Sequence, residues 1–249
     1  PPAPHPARVP AAPWLGDCRA AIPGACSFRG AAPAFGGACG PGAAVAVTDP
    51  GPDRAAHVDA LLRAVDGQRV SHILVTHTHL DHSPAAAALK AATGAPTYGF
   101  GPHGRGPDGI EAGGDADFTP DVTLKHGDAV EGKGWRLEAL HTPGHTSNHL
   151  AFAWPDRKIL FPGDLVMGWS TSVISPPDGN MGDYLRSLDR LLERDDEIYW
   201  PTHGGPIQNP KPFVEAFIAH RRDREEEILA CIRFGQEFIA DMIQIGRAH

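Results

Sequence analysis

"VSHILVTHTHLDHSPAAAALKAAT" runs from Val70 to Thr93 and changes character twice. Its first part, VSHILVTH (70–77), is rich in β-branched residues and reads as a buried strand. Its last part, SPAAAALKAAT (83–93), opens with Ser then Pro and continues in alanine up to Gly94, which predicts a helix capped by Ser83. Between the two, His77, His79, Asp81 and His82 crowd onto one strand-to-helix loop. A single histidine there would be an ordinary polar loop residue. Three imidazoles and a carboxylate together are the donor types that suit zinc, iron or manganese.

A metal site draws ligands from distant parts of a chain, so the other predicted strand ends matter. HTPGHTSNH (141–149) offers His145 in a Pro-Gly turn, LFPGDL (160–165) offers Asp164, and PTHGG (201–205) offers His203. Each sits beside glycine or proline, where the backbone can approach closely. With the first loop they supply five histidines and two aspartates, enough for two ions sharing a carboxylate. His149 follows His145 by four positions and is expected to back the ligands from behind, a role also open to His72 and His141. His103 and His126 read as loop residues. Trp169, Ser170 and Thr171, after Asp164, are expected to overhang the site and touch substrate.

The motifs THTHLDH, TPGHT, GD and HG, in that order, resemble the metallo-β-lactamase-fold hydrolase superfamily over about residues 43–234. The resemblance implies a four-layer αβ/βα sandwich with metals at one edge. It implies His77, His79 and His145 as ligands of a first metal, Asp81, His82 and His203 as ligands of a second, and Asp164 as the bridging carboxylate. TPGHTSNH is similar to the glyoxalase II thioesterases. DPGPDRAAHVDALL, VTHTHLDHSPAAAALKAATG and the PTHGGPI and FIAHRRDREEEIL stretches are similar to the lactamase-beta-like branch that includes metal-dependent endoribonucleases. Relatives usually carry a threonine-containing strand before the DPG turn. Here that place is taken by RGAAPAFGGACG, which predicts a lost or weak strand.

The mechanism this implies is two-zinc hydrolysis, with a metal-bridging hydroxide as nucleophile and Asp81 as both ligand and catalytic residue, an orienter or proton acceptor for that nucleophile. No G-x-S-x-G elbow supports a serine hydrolase. An acyl or thioester substrate leads, with weak β-lactamase activity as a side reaction. Single-stranded RNA, with the chain as an endoribonuclease, is an alternative. A dedicated metallo-β-lactamase is another, disfavoured because such enzymes commonly lack the bridging aspartate. A non-catalytic metal-binding module is the rival from a different class, but structural zinc sites are closed and rich in thiolate.

Composition bounds these readings. The chain has 249 residues and a formal net charge of −8, which counts against a phosphate backbone as partner. The basic run HRRDR (220–224) reads as a solvated helix face or a grip for an acidic ligand. Cys18, Cys26, Cys39 and Cys231 form no C-x-x-C pair. No run is long and apolar enough for a membrane span, and the proline-studded start has no signal-like core, so a cytoplasmic location is the expectation. Three segments are expected: 1–42 irregular, 43–208 catalytic, and 209–249 a helical extension. Within them, strands are predicted at 43–51, 121–127, 135–142, 149–154, 158–164 and from 197, and helices at 53–65 (capped by Asp53), 181–194 and 209–234 (capped by Asn209), with the tail after Gly235 a further helix. Adjacent strands between 121 and 164 argue against a purely parallel sheet.

Overall fold

A computed structural model describes residues 34–37, 44–104 and 113–235, so Cys18, Cys26, Cys39 and the tail after Gly235 lie outside the described residues. The chain divides into two compact units, Pro1–Pro210 and Lys211–His249.

The first unit is built on two mixed sheets. One orders β1 (Ala34–Gly37), β2 (Ala44–Thr48), β3 (Arg69–Leu74), β4 (Thr97–Gly99) and β5 (Val122–Thr123) side by side. The pair β1–β2 is antiparallel and the rest are parallel. The other runs β11 (Ile207–Gln208), β10 (Ile198–Tyr199), β9 (Ile159–Phe161), β8 (Leu150–Trp154), β7 (Trp135–His141) and β6 (Ala129–Gly132). Its strands β6 to β9 are antiparallel neighbours, as the run of adjacent strands predicted.

Burial explains the layering. Ala46 and Leu74 from the first sheet share one core with Trp135, Leu137, Phe152 and Ile159 from the second, so the sheets pack face to face. Val45, Val47, Ile73 and Val75 point the other way, onto Ala86 and Leu89 of α2 (Ala85–Thr93) and Val65 after α1 (Ala55–Ala64). Strand β8, LAFAW, is buried along its whole length. That is why it lacks the polar alternation of a half-exposed strand. Helix α3 (Met181–Leu192) starts at Asn180, whose side chain accepts the Asp183 N–H at 3.0 Å. It is held to the β7–β8 connection by Ser187 Oγ donating to Pro143 O at 2.7 Å and Arg190 to His141 O at 2.8 Å. The architecture is the expected αβ/βα sandwich.

Several local expectations are corrected. RGAAPAFGGACG does contain a strand: β1 pairs with β2 from Ala34↔Thr48 to Gly37↔Val45. An edge strand needs only its neighbour's backbone groups, so a weak side-chain pattern did not prevent it. Asp53 does not cap α1, where Arg54 stands at the cap without a side-chain bond. Pro84, not Ser83, stands at the cap of α2; Ser83 Oγ donates to Asp115 Oδ2 at 2.5 Å. The two-residue β5 replaces the longer strand expected at 121–127, and β4, β6 and β11 were not anticipated.

In the second unit, α4 (Pro210–Arg233) carries neighbouring Phe213 and Phe217 rings, 4.8 Å apart. Arg224 of the basic run pairs with Glu227 on the same helix. Cys231 is a free, buried thiol. Among the described residues, no helix is long and apolar enough to cross a membrane.

Candidate metal centre

The seven residues singled out in the sequence meet at one end of the two sheets. Leu150 N of β8 donates to Thr76 O at 2.7 Å, joining the sheets just where the first histidine emerges. Three donor groups form there: His77, His79 and His145; His77, His82 and Asp164; and Asp81, His82 and His203, the donor atoms of each lying within 4.8 Å of one another.

Hydrogen bonds on the far side of each ring decide which nitrogen is free. Asp49, buried in the turn after β2, accepts the Thr76 N–H and the Thr76 hydroxyl, both at 2.7 Å. With its proton committed to Asp49, the Thr76 oxygen accepts from His77 Nδ1 at 3.0 Å, leaving His77 Nε2 with a lone pair. His82 Nδ1 donates to Asp49 at 3.1 Å, which leaves its Nε2 facing Asp81 and Asp164. His145 Nδ1 donates to Val173 O at 2.6 Å, which frees its Nε2 too. These are the outer contacts that orient metal-binding histidines.

The free atoms converge. His77 Nε2 and His145 Nε2 each lie 3.0 Å from His79 Nδ1, a nitrogen that can carry only one proton. Two lone pairs facing one such atom are satisfied together by a cation. His82 Nε2 is fully buried and makes no hydrogen bond, facing Asp81 Oδ1 at 3.5 Å and Asp164 Oδ1 at 3.6 Å. His203 Nε2 lies 3.3 Å from Asp81 Oδ2 and 3.5 Å from Asp164 Oδ2, and His145 Nε2 is 3.7 Å from the latter. Donors bonded tetrahedrally to one zinc are about 3.4 Å apart. The residues therefore fit divalent cations, and Asp164 reaches toward both outer groups.

The charges follow this geometry. Burial and then the neighbouring histidines hold His77 well below the ordinary histidine range. Burial would also lower His82, but the facing Asp164 and then Asp49 raise it well above that range. Burial pushes the Asp164 carboxyl up, and His82, His145 and His203 more than reverse it, leaving the group well below the usual carboxylate range. Burial likewise pushes Asp81 up and His203 down. Their contact reverses both, so Asp81 is lowered by His203, and His203 is raised by Asp81 and Asp164.

Supporting residues sort themselves by contact. His149 is buried; its Nδ1 lies 2.9 Å from Thr142 Oγ1 and its Nε2 accepts the Asp164 N–H at 3.1 Å. It fixes the backbone that presents Asp164. Gly163, in the left-handed region at φ 54°, leaves room for it, since a Cβ there would come within 2.7 Å of His149 Nε2. Thr202 Oγ1 donates to Asp164 Oδ1 at 2.7 Å. His72 packs between Tyr98 and Trp135 rings at 5.1 and 5.0 Å, and His141 stacks on Phe100 at 4.3 Å, so neither joins a donor group. His126 is an exposed loop residue.

Two residues were missed. Asp49 reads in sequence as part of a turn, yet it holds both Thr76 and His82. His103 is a loop residue but a buried one: its Nδ1 lies 3.0 Å from Thr78 Oγ1 and its ring is 5.5 Å from that of His79. Trp169, Ser170 and Thr171 lie beside the site, where Gly168 N donates to His203 O at 2.7 Å. Ser170 Oγ donates to Thr171 O at 3.4 Å.

The curated relatives include the lactamase-like protein adaB of Aspergillus niger, 28% identical over 74% of this chain and 54% of that protein. The beta-lactamase-like protein 2 homolog of Drosophila melanogaster is 30% identical over 72% of this chain and 59% of that protein. The atrochrysone carboxyl ACP thioesterase of Aspergillus fumigatus is 28% identical over 78% of this chain and 58% of that protein. The chain thus spans little more than half the length of these relatives. A metallo-beta-lactamase family protein from Thermus thermophilus shares the fold, with a TM-score of 0.65 and 23% identity over 80% of this chain and 77% of that one. A protein solved in a di-iron-bound form is 26% identical, with a TM-score of 0.55 over 73% of this chain and 92% of that one. The sequence profile of the metallo-beta-lactamase superfamily matches residues 40–203, and the chain belongs to that superfamily.

Proposed function

We propose that the protein is a hydrolase that holds two zinc ions and cleaves an acyl thioester. The observation that carries this is the placement of Asp164. One carboxylate faces His145 and His203 with one oxygen and His82 with the other, so the two outer donor groups share it. His77, His79 and His145 would hold one ion and Asp81, His82 and His203 the other. Iron or manganese would suit the same donors. Bound at this place, the ions supply the Lewis acidity that makes water a nucleophile at neutral pH.

The chain's own groups do the rest. Asp81 is a third exposed, so it meets both the donors and solvent. It takes the proton of the attacking water as the new carbon–oxygen bond forms. The carbon–sulfur bond then breaks, its electron pair leaves on sulfur, and the proton held by Asp81 passes to the thiolate. The products are a carboxylic acid and a thiol. His149 and Thr202 keep the Asp164 carboxylate in register. The thioesterase name of the Aspergillus fumigatus relative supports the choice of substrate, and the net charge of −8 disfavours RNA.

The test is metal analysis with a substrate panel. Purified protein is loaded with zinc, counted for metal, and offered an acyl thioester, a short single-stranded RNA and a chromogenic cephalosporin. Two zinc ions per chain and preferential thioester cleavage are expected. Cleavage of RNA alone would move the protein to the endoribonuclease reading. Binding of less than one ion, unchanged in His77→Ala, would overturn the metalloenzyme reading.

A further inference from the structure

The loop from Met167 to Asn180 is pinned along its length yet presents apolar side chains to water. Gly168 N donates to His203 O at 2.7 Å. Ser172 Oγ donates to the carbonyls of Asp164 and Leu165. Val173 O accepts from His145 Nδ1 at 2.6 Å, and Asp178 Oδ2 accepts the Ser147 N–H at 2.7 Å. Asn180 N donates to Gly144 O at 2.8 Å. Gly168 and Gly204 pack backbone to backbone: a Cβ on Gly204 would lie 2.7 Å from Gly168 Cα and 2.9 Å from Trp169 Cδ1.

Held this way, Trp169 is 59% exposed and Val173 66% exposed. Leu80, between His79 and Asp81 in the chain, is 53% exposed. Each is one or a few residues from a candidate ligand or from a residue bonded to one. The other exposed large apolar residues among those described are Val122 and Met181, singly, and four near the end of α4. Scattered exposure needs no explanation, but exposed apolar side chains held beside a cluster of metal-type donors offer a surface to the apolar part of a ligand.

We propose that Trp169, Val173 and Leu80 form an apolar rim that binds the hydrocarbon part of the acyl group, so that the preferred substrates are thioesters of medium-chain or aromatic acids rather than of acetate. This rests on the thioesterase reading and names its substrate class. A methylene fully withdrawn from water is worth roughly a fourfold gain in binding. A rim that covers a few methylenes in part should therefore favour a decanoyl over an acetyl thioester by about tenfold or more.

Acetyl and decanoyl thioesters of N-acetylcysteamine are to be compared on zinc-loaded wild type, Trp169→Ala, Trp169→Phe and Val173→Ser. Binding of decanoate, the free acid, is measured in parallel by calorimetry. The wild type should show a decanoyl-to-acetyl ratio of kcat/KM of at least tenfold. Trp169→Ala should cut that ratio at least fivefold, mainly through the KM for decanoyl thioester, and Val173→Ser should cut it less. Trp169→Phe should restore most of it, which a merely folding role for the indole would not explain. Decanoate should bind more weakly to Trp169→Ala by a similar factor. Thioester cleavage with no chain-length preference, or a ratio unmoved by Trp169→Ala and Val173→Ser, overturns the rim and leaves the hydrolase. Decanoate binding that depends on Trp169, with no thioester cleaved, keeps the rim and removes the thioesterase reading.

Discussion

His77, His79 and His145 make one outer donor group from three imidazoles, while Asp81, His82 and His203 make the other from two imidazoles and a carboxylate. The first is supported by neutral partners: a threonine hydroxyl behind His77 and a carbonyl behind His145. The second is supported by charge, with Asp49 behind His82. The difference shows in protonation. His77 is held below the histidine range by its burial among other imidazoles, while His82, just as buried, is raised above it by two carboxylates. A cation entering the first group meets the lone pair of a neutral His77. One entering the second must displace a proton, and gains more negative charge in return.

Three experiments break or sharpen that contrast. The largest effect belongs to Asp164→Ala, which removes the carboxylate common to both groups. Zinc content should fall below two per chain, and kcat/KM for thioester should drop by about a thousandfold or more, roughly 4 kcal/mol of transition-state stabilisation. Metal counting beside steady-state kinetics reads both. Asp49→Asn should act mainly on one group, because Asp49 contacts His82 directly and His77 only through Thr76. It weakens the charge behind His82, so one of the two ions should bind about 10–100-fold more weakly while the other is retained. A competitive chelator titration separates the two steps, and equal weakening of both would erase the distinction.

The smallest effect is in stability against pH, measured on protein stripped of metal. The raised His82 and His203 contribute stability that is full below their ordinary value of 6.5 and lost as pH rises through their folded-state values. The lowered His77 and His149 work in the opposite sense, costing stability as pH falls below 6.5. The two pairs together place the maximum Tm of the stripped protein near pH 6.5. Zinc should flatten the alkaline side, because a bound cation keeps His82 and His203 deprotonated there. A thermal melt series with and without chelator checks this, and a monotonic rise of Tm through about pH 8 without metal would contradict it.

What the sequence revealed of the site was its donors, because imidazoles and carboxylates at strand ends are visible one by one. What it hid was their support. Asp49 meets His82 across 33 positions of chain and His103 meets Thr78 across 25, and no local pattern announces either contact. Ser83 carried a genuine helix-start signature, yet Asp115 competes for its hydroxyl. The same division holds for the fold. Strands β3, β7 and β8 were legible from their β-branched and apolar runs. Strands β6 and β11 were not, since two to four residues are too few for a period to emerge. Strand β1 exists through the backbone of β2 rather than through its own composition.

His77 leaves the first sheet after β3, and His203 leaves the second after β10. Metal held across that seam would therefore be a clasp between two halves of the chain that must each be formed before it can close. Half-folded protein offers at most fragments of the ligand set, so metal binds the finished state and leaves the unfinished one untouched. At a free zinc concentration about 100 times the dissociation constant, such selective binding adds about 2.7 kcal/mol to stability. Loss of metal would then register first as susceptibility to proteases, before any change in the fold at rest, making the reaction centre a checkpoint on assembly as well as a place of chemistry.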